Sequence, residues 1–141
     1  QLRIKNYELR IKITNYELKI TNMKSDNIIQ EKSFAFAIRI VNLYKYLTSE
    51  KREFVLSKQL LKSGTSVRAN IEESIGGQSE KDFLSKLSIA YKEARESMYW
   101  LKLLKATAYL SEEQANSLLS DAEEICKILG KIQITLKNRN S

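Results

Sequence analysis

The absence of proline is the feature that most restricts the folds open to this chain. None of its 141 residues is proline, and only four are glycine. Proline and glycine form most tight turns, so an all-β sandwich, which needs a turn about every ten residues, is difficult to build from this sequence. Long helices joined by a few short connections suit it better.

Two long segments in the C-terminal half carry core-type residues at alternating spacings of four and three, which places them on one face of a helix. In the predicted helix three they are Phe83, Leu87, Ala90, Ala94, Ser97, Leu101, Leu104 and Ala108. In the predicted helix four they are Ala115, Leu118, Ala122, Ile125, Leu129, Ile132 and Leu136. Ser79 with Asp82, and Ser111 with Gln114, are spaced as N-terminal capping boxes and predict where these helices begin.

The preceding segment predicts two more helices. Residues 33–47 carry two apolar seams that make a broad face: Phe34, Ala37, Ile38 and Val41, then Phe36, Ile40, Leu43 and Leu47. Residues 50–74 form the predicted helix two, with Thr48 and Ser49 as cap candidates. Because links of a few residues cannot cross a bundle, neighbouring helices must be antiparallel. We therefore predict an all-α fold, an antiparallel up-down-up-down four-helix bundle.

The first 22 residues are a different kind of sequence. The segment NYELRI at residues 6–11 recurs as NYELKI at residues 15–20, and apolar residues alternate with polar ones as they do in a strand. With a methionine at position 23, this repeat predicts a poorly ordered, non-core N-terminal extension, residues 1–22, followed by the bundle domain, residues 23–141. A β-arm that pairs with a neighbouring subunit is the alternative.

The chain has no histidine and one cysteine, which excludes Ser-His and Cys-His nucleophile pairs and His-containing zinc or di-iron sites. Cys126 is predicted to be a buried apolar residue, with a reactive thiol or an intermolecular bridge as alternatives. Glu72, Glu73, Glu93 and Glu96 predict salt bridges rather than a carboxylate-only metal site. We expect a protein that is not an enzyme and needs no cofactor or metal.

No segment approaches the roughly 18 consecutive apolar residues of a membrane span, and the N-terminus lacks the apolar block of a signal peptide. We expect a cytoplasmic protein with no membrane partner. The net charge of +7 permits nucleic-acid binding, although a solubilising surface of mixed sign has the same balance.

One face of the predicted helix three carries basic residues, a tyrosine and no acid: Lys81, Ser85, Ser88, Lys92, Arg95, Tyr99 and Lys102. A stripe of this kind can follow a phosphate backbone, with the tyrosine available for stacking; an ordinary solvated face is the alternative. With basic residues of helix two, the candidate nucleic-acid-binding residues are Lys58, Lys62, Arg68, Lys92, Arg95 and Lys102.

Helix two also carries a polar line beside its apolar seam: Gln59, Ser63, Ser66, Asn70 and Glu73. Such a line predicts hydrogen bonds across helices or between subunits that fix their register, with a ligand face or a solvated face as alternatives. Trp100 is predicted to be an aromatic interface anchor. The candidate subunit-interface residues are Gln59, Ser63, Ser66, Asn70 and Trp100.

Three segments, Lys32–Phe34, Gln59–Glu73 and Lys81–Leu101, resemble the bacterial four-helix-bundle proteins encoded within 23S rRNA intervening sequences. The likeness covers about residues 24–136 and includes the Ser63, Ser66, Asn70 and Glu73 spacing. In the family, Arg is usual in place of Lys62, Ala is common in place of Gly64 and Thr is usual in place of Ser97. Residues 1–22 have no counterpart there.

The resemblance implies a ring-shaped homopentamer with a proposed nucleic-acid association. Related accessory proteins of diversity-generating retroelements have the same shape and bind RNA and a reverse transcriptase through a basic pentameric barrel. We therefore expect a non-enzymatic oligomer that binds structured RNA associated with the rRNA intervening sequence. A protein-interaction scaffold without a nucleic-acid role is the alternative.

Overall fold

The computed structural model describes the backbone of residues 12–140 and the side chains of residues 28–139. Four helices follow one another: α1 (Lys12–Ser49), α2 (Leu56–Ile75), α3 (Glu80–Ala106) and α4 (Glu112–Asn140). The described backbone contains no strand. Each helix packs against the next and α1 packs against α4, so the prediction of a four-helix bundle is confirmed.

Side-chain contacts between neighbouring helices establish their directions. Arg39 of α1 pairs with Asp121 of α4, while Lys32, earlier in α1, pairs with Glu124, later in α4. On α2 and α3, Ser63 meets Ser97 and Glu73 meets Lys86. Later residues on one helix therefore contact earlier residues on its neighbour, which gives the antiparallel arrangement that the short connections require.

The predicted seams of α3 and α4 lie in the core, with two exceptions on α3. All seven of the positions predicted on α4 are buried, as are six of the eight on α3. Phe83 is half-buried against the core, whereas Ala108 is exposed. Helix α3 ends at Ala106, and Ala108 takes a left-handed conformation with φ of 68°, so the chain turns and Leu110 enters the core instead.

Only one of the two seams predicted on helix one faces the core. Phe36, Ile40 and Leu47 are at most 1% exposed, whereas Phe34 and Ile38 are 57% and 48% exposed. The prediction of a broad buried face was therefore wrong for the seam that contains Phe34 and Ile38. The guanidinium of Arg68 on α2 lies over the Phe34 ring, 5.5 Å from its centroid, and covers part of it.

The start of α2 also differs from the sequence prediction. The helix begins at Leu56 rather than Glu50, and the Thr48 and Ser49 hydroxyls donate to carbonyl oxygens within α1 instead of capping α2. The cap is supplied by Glu53, which is 8% exposed. Its carboxylate accepts hydrogen bonds from the backbone N–H groups of Val55, Leu56 and Ser57 at 3.1, 2.8 and 2.7 Å. These bonds satisfy N–H groups that have no partner inside the helix.

Both predicted serine caps are present, and the one at the start of α4 forms a complete capping box. The Ser79 hydroxyl accepts from the Asp82 N–H at 3.1 Å at the start of α3. At the start of α4 the contacts are reciprocal, because the Ser111 hydroxyl accepts from the Gln114 N–H while the Gln114 side chain accepts from the Ser111 N–H. Both helices therefore begin where the local sequence predicts.

Residues 12–22 are helical, so the strand prediction was wrong for that part of the repeat. Extending an existing helix needs no new nucleus. Residues 12–22 can therefore continue α1 as a helix, although their apolar residues alternate as in a strand. The strand predicted over residues 1–11 lies outside the described residues. The boundary at residue 23, the poorly ordered extension and the β-arm alternative stay predictions. Across residues 12–140, no helix combines the length and apolar character needed to cross a membrane.

Candidate nucleic-acid interface

Three of the six candidate nucleic-acid-binding residues lie together on the exposed side of α3. Lys92, Arg95 and Lys102 are all exposed and extend over roughly 15 Å of helix at 1.5 Å per residue. Within the side chains that the structure describes, none of the three forms an ion pair with a carboxylate. Their charges are therefore available to a partner.

Arg95 and Lys102 also line a groove between α3 and α4. The groove contains two adjoining cavities of about 360 and 420 Å³, which share Tyr91, Cys126 and Lys127 as lining residues. Lys131 extends the basic lining at one end. Glu123 is the one carboxylate among the described lining residues, so four cations face a single anion.

The three candidates on α2 do not join this cluster as one surface. Lys58 and Lys62 are exposed, and Lys62 lies near Glu93 of α3. Burial raises the pKa of Glu93, the neighbouring Glu96 raises it further, and the charge of Lys62 opposes both. The structure thus places Lys62 beside acidic groups, apart from the α3–α4 groove.

Arg68 is tied into the bundle rather than presented to solvent. Its Nη2 donates to Glu72 Oε1 at 2.6 Å, and its Nη1 donates to the Gln30 carbonyl oxygen of α1 at 2.6 Å. Its side chain is 24% exposed. These contacts connect α2 to α1, so Arg68 has fewer donors left for a phosphate than Lys92, Arg95 or Lys102.

The predicted polar line of α2 lies at the contact with α3. Ser63 is 1% exposed and Ser97 is fully buried. The Ser97 hydroxyl oxygen lies 2.9 Å from that of Ser63 and 2.9 Å from the Glu93 carbonyl oxygen. Ser63 therefore makes its contact within one chain. Asn70 donates to the Ser66 carbonyl oxygen inside α2, at 2.8 Å.

Gln59 is exposed, and Trp100 is half-buried at the edge of the core. The indole Nε1 of Trp100 donates to Glu96 at 3.0 Å, and its ring meets Tyr99 edge-on with centroids 4.9 Å apart. Gln59, Ser66, Asn70 and Trp100 thus remain predicted subunit contacts. None of the four lines the α3–α4 groove, although Trp100 contacts Tyr99, which does.

The predicted salt bridges form at two of the four glutamates, because Glu72 pairs with Arg68 and Glu73 pairs with Lys86. Among the described side chains Glu93 and Glu96 form no ion pair, so the prediction was wrong for these two. Cys126 is buried, and burial raises the pKa of its thiol, although Arg95 acts in the opposite direction. Among the residues whose side chains are described, no group of three or more potential metal ligands comes together.

Residues 25–131 match the model of the 23S rRNA-intervening sequence protein family. The match extends over well more than half of the chain. This chain belongs to that family. A crystal structure of a protein with unknown function from the S23 ribosomal protein family of Bacteroides thetaiotaomicron is similar to it, with 53% sequence identity and a TM-score of 0.77. That similarity covers 77% of this chain and 97% of the other. A search of curated proteins finds no match.

Three residues that line the α3–α4 groove of this family member were not among the predicted binding residues: Tyr91, Lys127 and Lys131. The two lysines are four residues apart on α4, which is a visible signal that they share a face. Nothing in the local sequence says that this face lies next to Arg95 of α3. That proximity depends on how two helices pack.

Replacing Ser97 with alanine in this family member should lower the free energy of unfolding by about 1 kcal/mol, because the Ser63 hydroxyl loses its buried partner. Denaturant unfolding of both proteins measures the change. Ser85→Ala is the matched control on the exposed side of α3 and should change stability by less than about 0.5 kcal/mol. Equal effects of the two substitutions would show that the buried pair contributes nothing.

Proposed function

We propose that this family member is a non-enzymatic, cytoplasmic, oligomeric four-helix bundle that binds structured RNA associated with the 23S rRNA intervening sequence. The observation that carries the proposal is the line of exposed cations Lys92, Arg95 and Lys102, which have no carboxylate partner among the described side chains. Arg39 and Lys86, which lie on other faces, are paired with carboxylates.

The arrangement of these three charges suits a polyanion. A line of cations along a straight helix can contact successive phosphates, and each contact releases counterions from the nucleic acid. Assembly as a homopentamer, which the family resemblance implies, would repeat the line five times and extend the basic surface. The family's link to 23S rRNA supports RNA as the polyanion.

A second candidate function is a protein-interaction scaffold. It is favoured by the exposed apolar side chains of Phe34 and Ile38 on α1 and of Phe54 and Val55 in the following turn, which are between 48% and 70% exposed. Exposed apolar groups of this size are common at protein interfaces. In that case the cations would serve solubility alone.

The triple variant Lys92→Gln/Arg95→Gln/Lys102→Gln should bind RNA at least about tenfold more weakly, because three phosphate contacts are lost. The slope of log affinity against log salt concentration should become shallower by roughly two to three, because each phosphate contact contributes about 0.7 to 0.9 to it. Binding of the 141-residue chain to an rRNA fragment containing the intervening sequence, and to an unrelated RNA duplex, is measured across a salt series.

The matched control is Lys45→Gln/Lys51→Gln/Lys137→Gln, which removes the same charge from exposed positions elsewhere. It should retain most of the affinity. Equal losses in the two triple variants would mean that net charge alone governs binding. Absence of RNA binding by the unaltered chain would overturn the proposal in favour of the scaffold. The mass of the assembly, measured on the same samples, tests whether the substitutions leave the oligomer intact.

A further inference from the structure

Two hydrogen bonds join the helices that form the groove. Gln133 donates to Ser88 at 2.8 Å and Lys105 donates to Asn116 at 2.9 Å. The groove contains the two adjoining cavities of about 360 and 420 Å³, which reach Thr135 of α4. The lining from Tyr91 to Lys102 measures roughly 16 Å at 1.5 Å per residue.

Charge is separated between the two sides of α4. Asp121 and Glu124 form ion pairs with α1, whereas Lys127 and Lys131 line the groove beside α3. Among the described side chains, neither lysine is paired with a carboxylate. The groove therefore attracts an anion along its length, while the opposite side of α4 is already neutralised.

Two tyrosines accompany these cations. Tyr99 is 55% exposed, and Tyr91 lines both cavities and accepts a hydrogen bond from Arg95 at 3.5 Å. Alternating aromatic rings and cations are the combination with which proteins hold single-stranded nucleic acid, because bases stack on the rings while cations contact the phosphates. Phosphate contacts alone would need no tyrosine.

Gly130 lines one of the two cavities. A Cβ atom built at this position would have no described atom within 4 Å beyond its own helical turn, so it would enter open space. Glycine in the interior of a helix is less stable than alanine, and here the packing of the chain gives no reason for it.

We propose that the α3–α4 groove binds a single-stranded segment of RNA, with Tyr91 and Tyr99 stacking on bases and Arg95, Lys102, Lys127 and Lys131 contacting phosphates. This inference rests on the proposed RNA-binding function and assigns it to unpaired nucleotides. Tyrosine rings can stack on bases that are unpaired and accessible, which favours a single strand over a duplex. The length of the groove accommodates about five stacked nucleotides at 3.4 Å each.

The test compares a single-stranded RNA of about a dozen nucleotides with the same strand annealed to its complement. The full chain should bind the single strand at least tenfold more tightly. Gly130→Leu should weaken binding of the single strand at least tenfold by filling the groove, whereas Gly130→Ala should leave it unchanged. Tyr99→Leu should weaken it about fivefold to a hundredfold, and Tyr44→Leu, on α1, should not.

Lys127→Gln/Lys131→Gln provides a second approach that does not depend on the folding of Gly130→Leu. These exposed substitutions should lower the salt dependence of single-strand binding by about 1.4, at 0.7 per contact. Tighter binding of the duplex than of the single strand would overturn the proposal, as would full binding by both groove variants. The same holds if a polyglutamate peptide competes for the protein as well as the RNA strand does. Unchanged single-strand binding by both Gly130→Leu and Lys127→Gln/Lys131→Gln, in a chain that still binds the rRNA fragment, would overturn the groove assignment alone. No RNA binding by the unaltered chain would overturn both proposals.

Discussion

Replacing Glu53 with alanine should lower the free energy of unfolding by about 3 kcal/mol. The Glu53 carboxylate accepts three backbone N–H groups at the start of α2 and is 8% exposed. It also places a negative charge at the positive end of the helix dipole. Without it, these N–H groups lose their hydrogen-bond partner at the start of the helix.

Chemical denaturation of the variant and the unaltered chain measures this loss. Glu50→Ala is the matched control, because Glu50 is an exposed carboxylate in the same connection between α1 and α2. It should change the unfolding free energy by less than about 0.5 kcal/mol. Similar effects of the two substitutions would contradict the assignment of Glu53 as the cap.

The same carboxylate should make stability depend on pH. Burial by itself would raise the pKa of Glu53, but the N–H groups of Leu56, Ser57 and Val55 outweigh it and hold the pKa below its ordinary value of 4.5. A group whose pKa is lower in the folded state stabilises the fold above its unfolded pKa and loses this contribution as the pH falls. The unfolding free energy should therefore decrease below about pH 4.5. Glu53→Gln should flatten this decrease, and parallel pH profiles would contradict the prediction.

Replacing Gly64 with alanine should destabilise the protein by about 1–2 kcal/mol, although alanine is the better helix former. A Cβ atom at position 64 would lie 2.8 and 2.9 Å from the two γ-carbons of Ile40 on α1. Because a β-branched side chain has little freedom at χ1, Ile40 cannot rotate away easily. The two helices would have to separate or Ile40 would have to leave its rotamer.

A double-mutant cycle measured by denaturant unfolding isolates this contact. In the Ile40→Ala background the γ-carbons are gone, so Gly64→Ala should lose most of its destabilising effect. Gly130→Ala is the matched control within the chain, since its Cβ would enter open space, and it should stabilise by roughly 1 kcal/mol. If both glycine substitutions changed stability in the same direction, the close approach of α1 and α2 would not be what requires Gly64.

The two serine caps explain why the starts of α3 and α4 could be predicted. Ser79 and Ser111 act on N–H groups three residues away, so the motif is complete in the local sequence. The start of α2 could not be predicted in this way. Its cap depends on the conformation of the turn after α1. There Arg52 has a left-handed φ of 52°, and the Glu53 carboxylate accepts a hydrogen bond from the Ser57 N–H.

The residues of the candidate site also differ in how far the sequence predicts their role. Lys92, Arg95 and Lys102 share one helix face, so helical periodicity alone placed them together. Arg68 belonged to the same set by its charge, yet its contacts with Glu72 and Gln30 hold it against α1. Charge can be read from the sequence, but the partner that neutralises it lies on another helix.

By itself the sequence determined four helices, their antiparallel order, the core faces of α3 and α4 and the basic face of α3, because these follow from local spacing and short connections. Only the tertiary structure decided that Phe34 and Ile38 stay exposed and that Lys127 and Lys131 face Arg95 across a groove. Those features depend on the rotation and register of one helix against another. The physical reason is that packing of whole helices sets them, and no short segment carries that information.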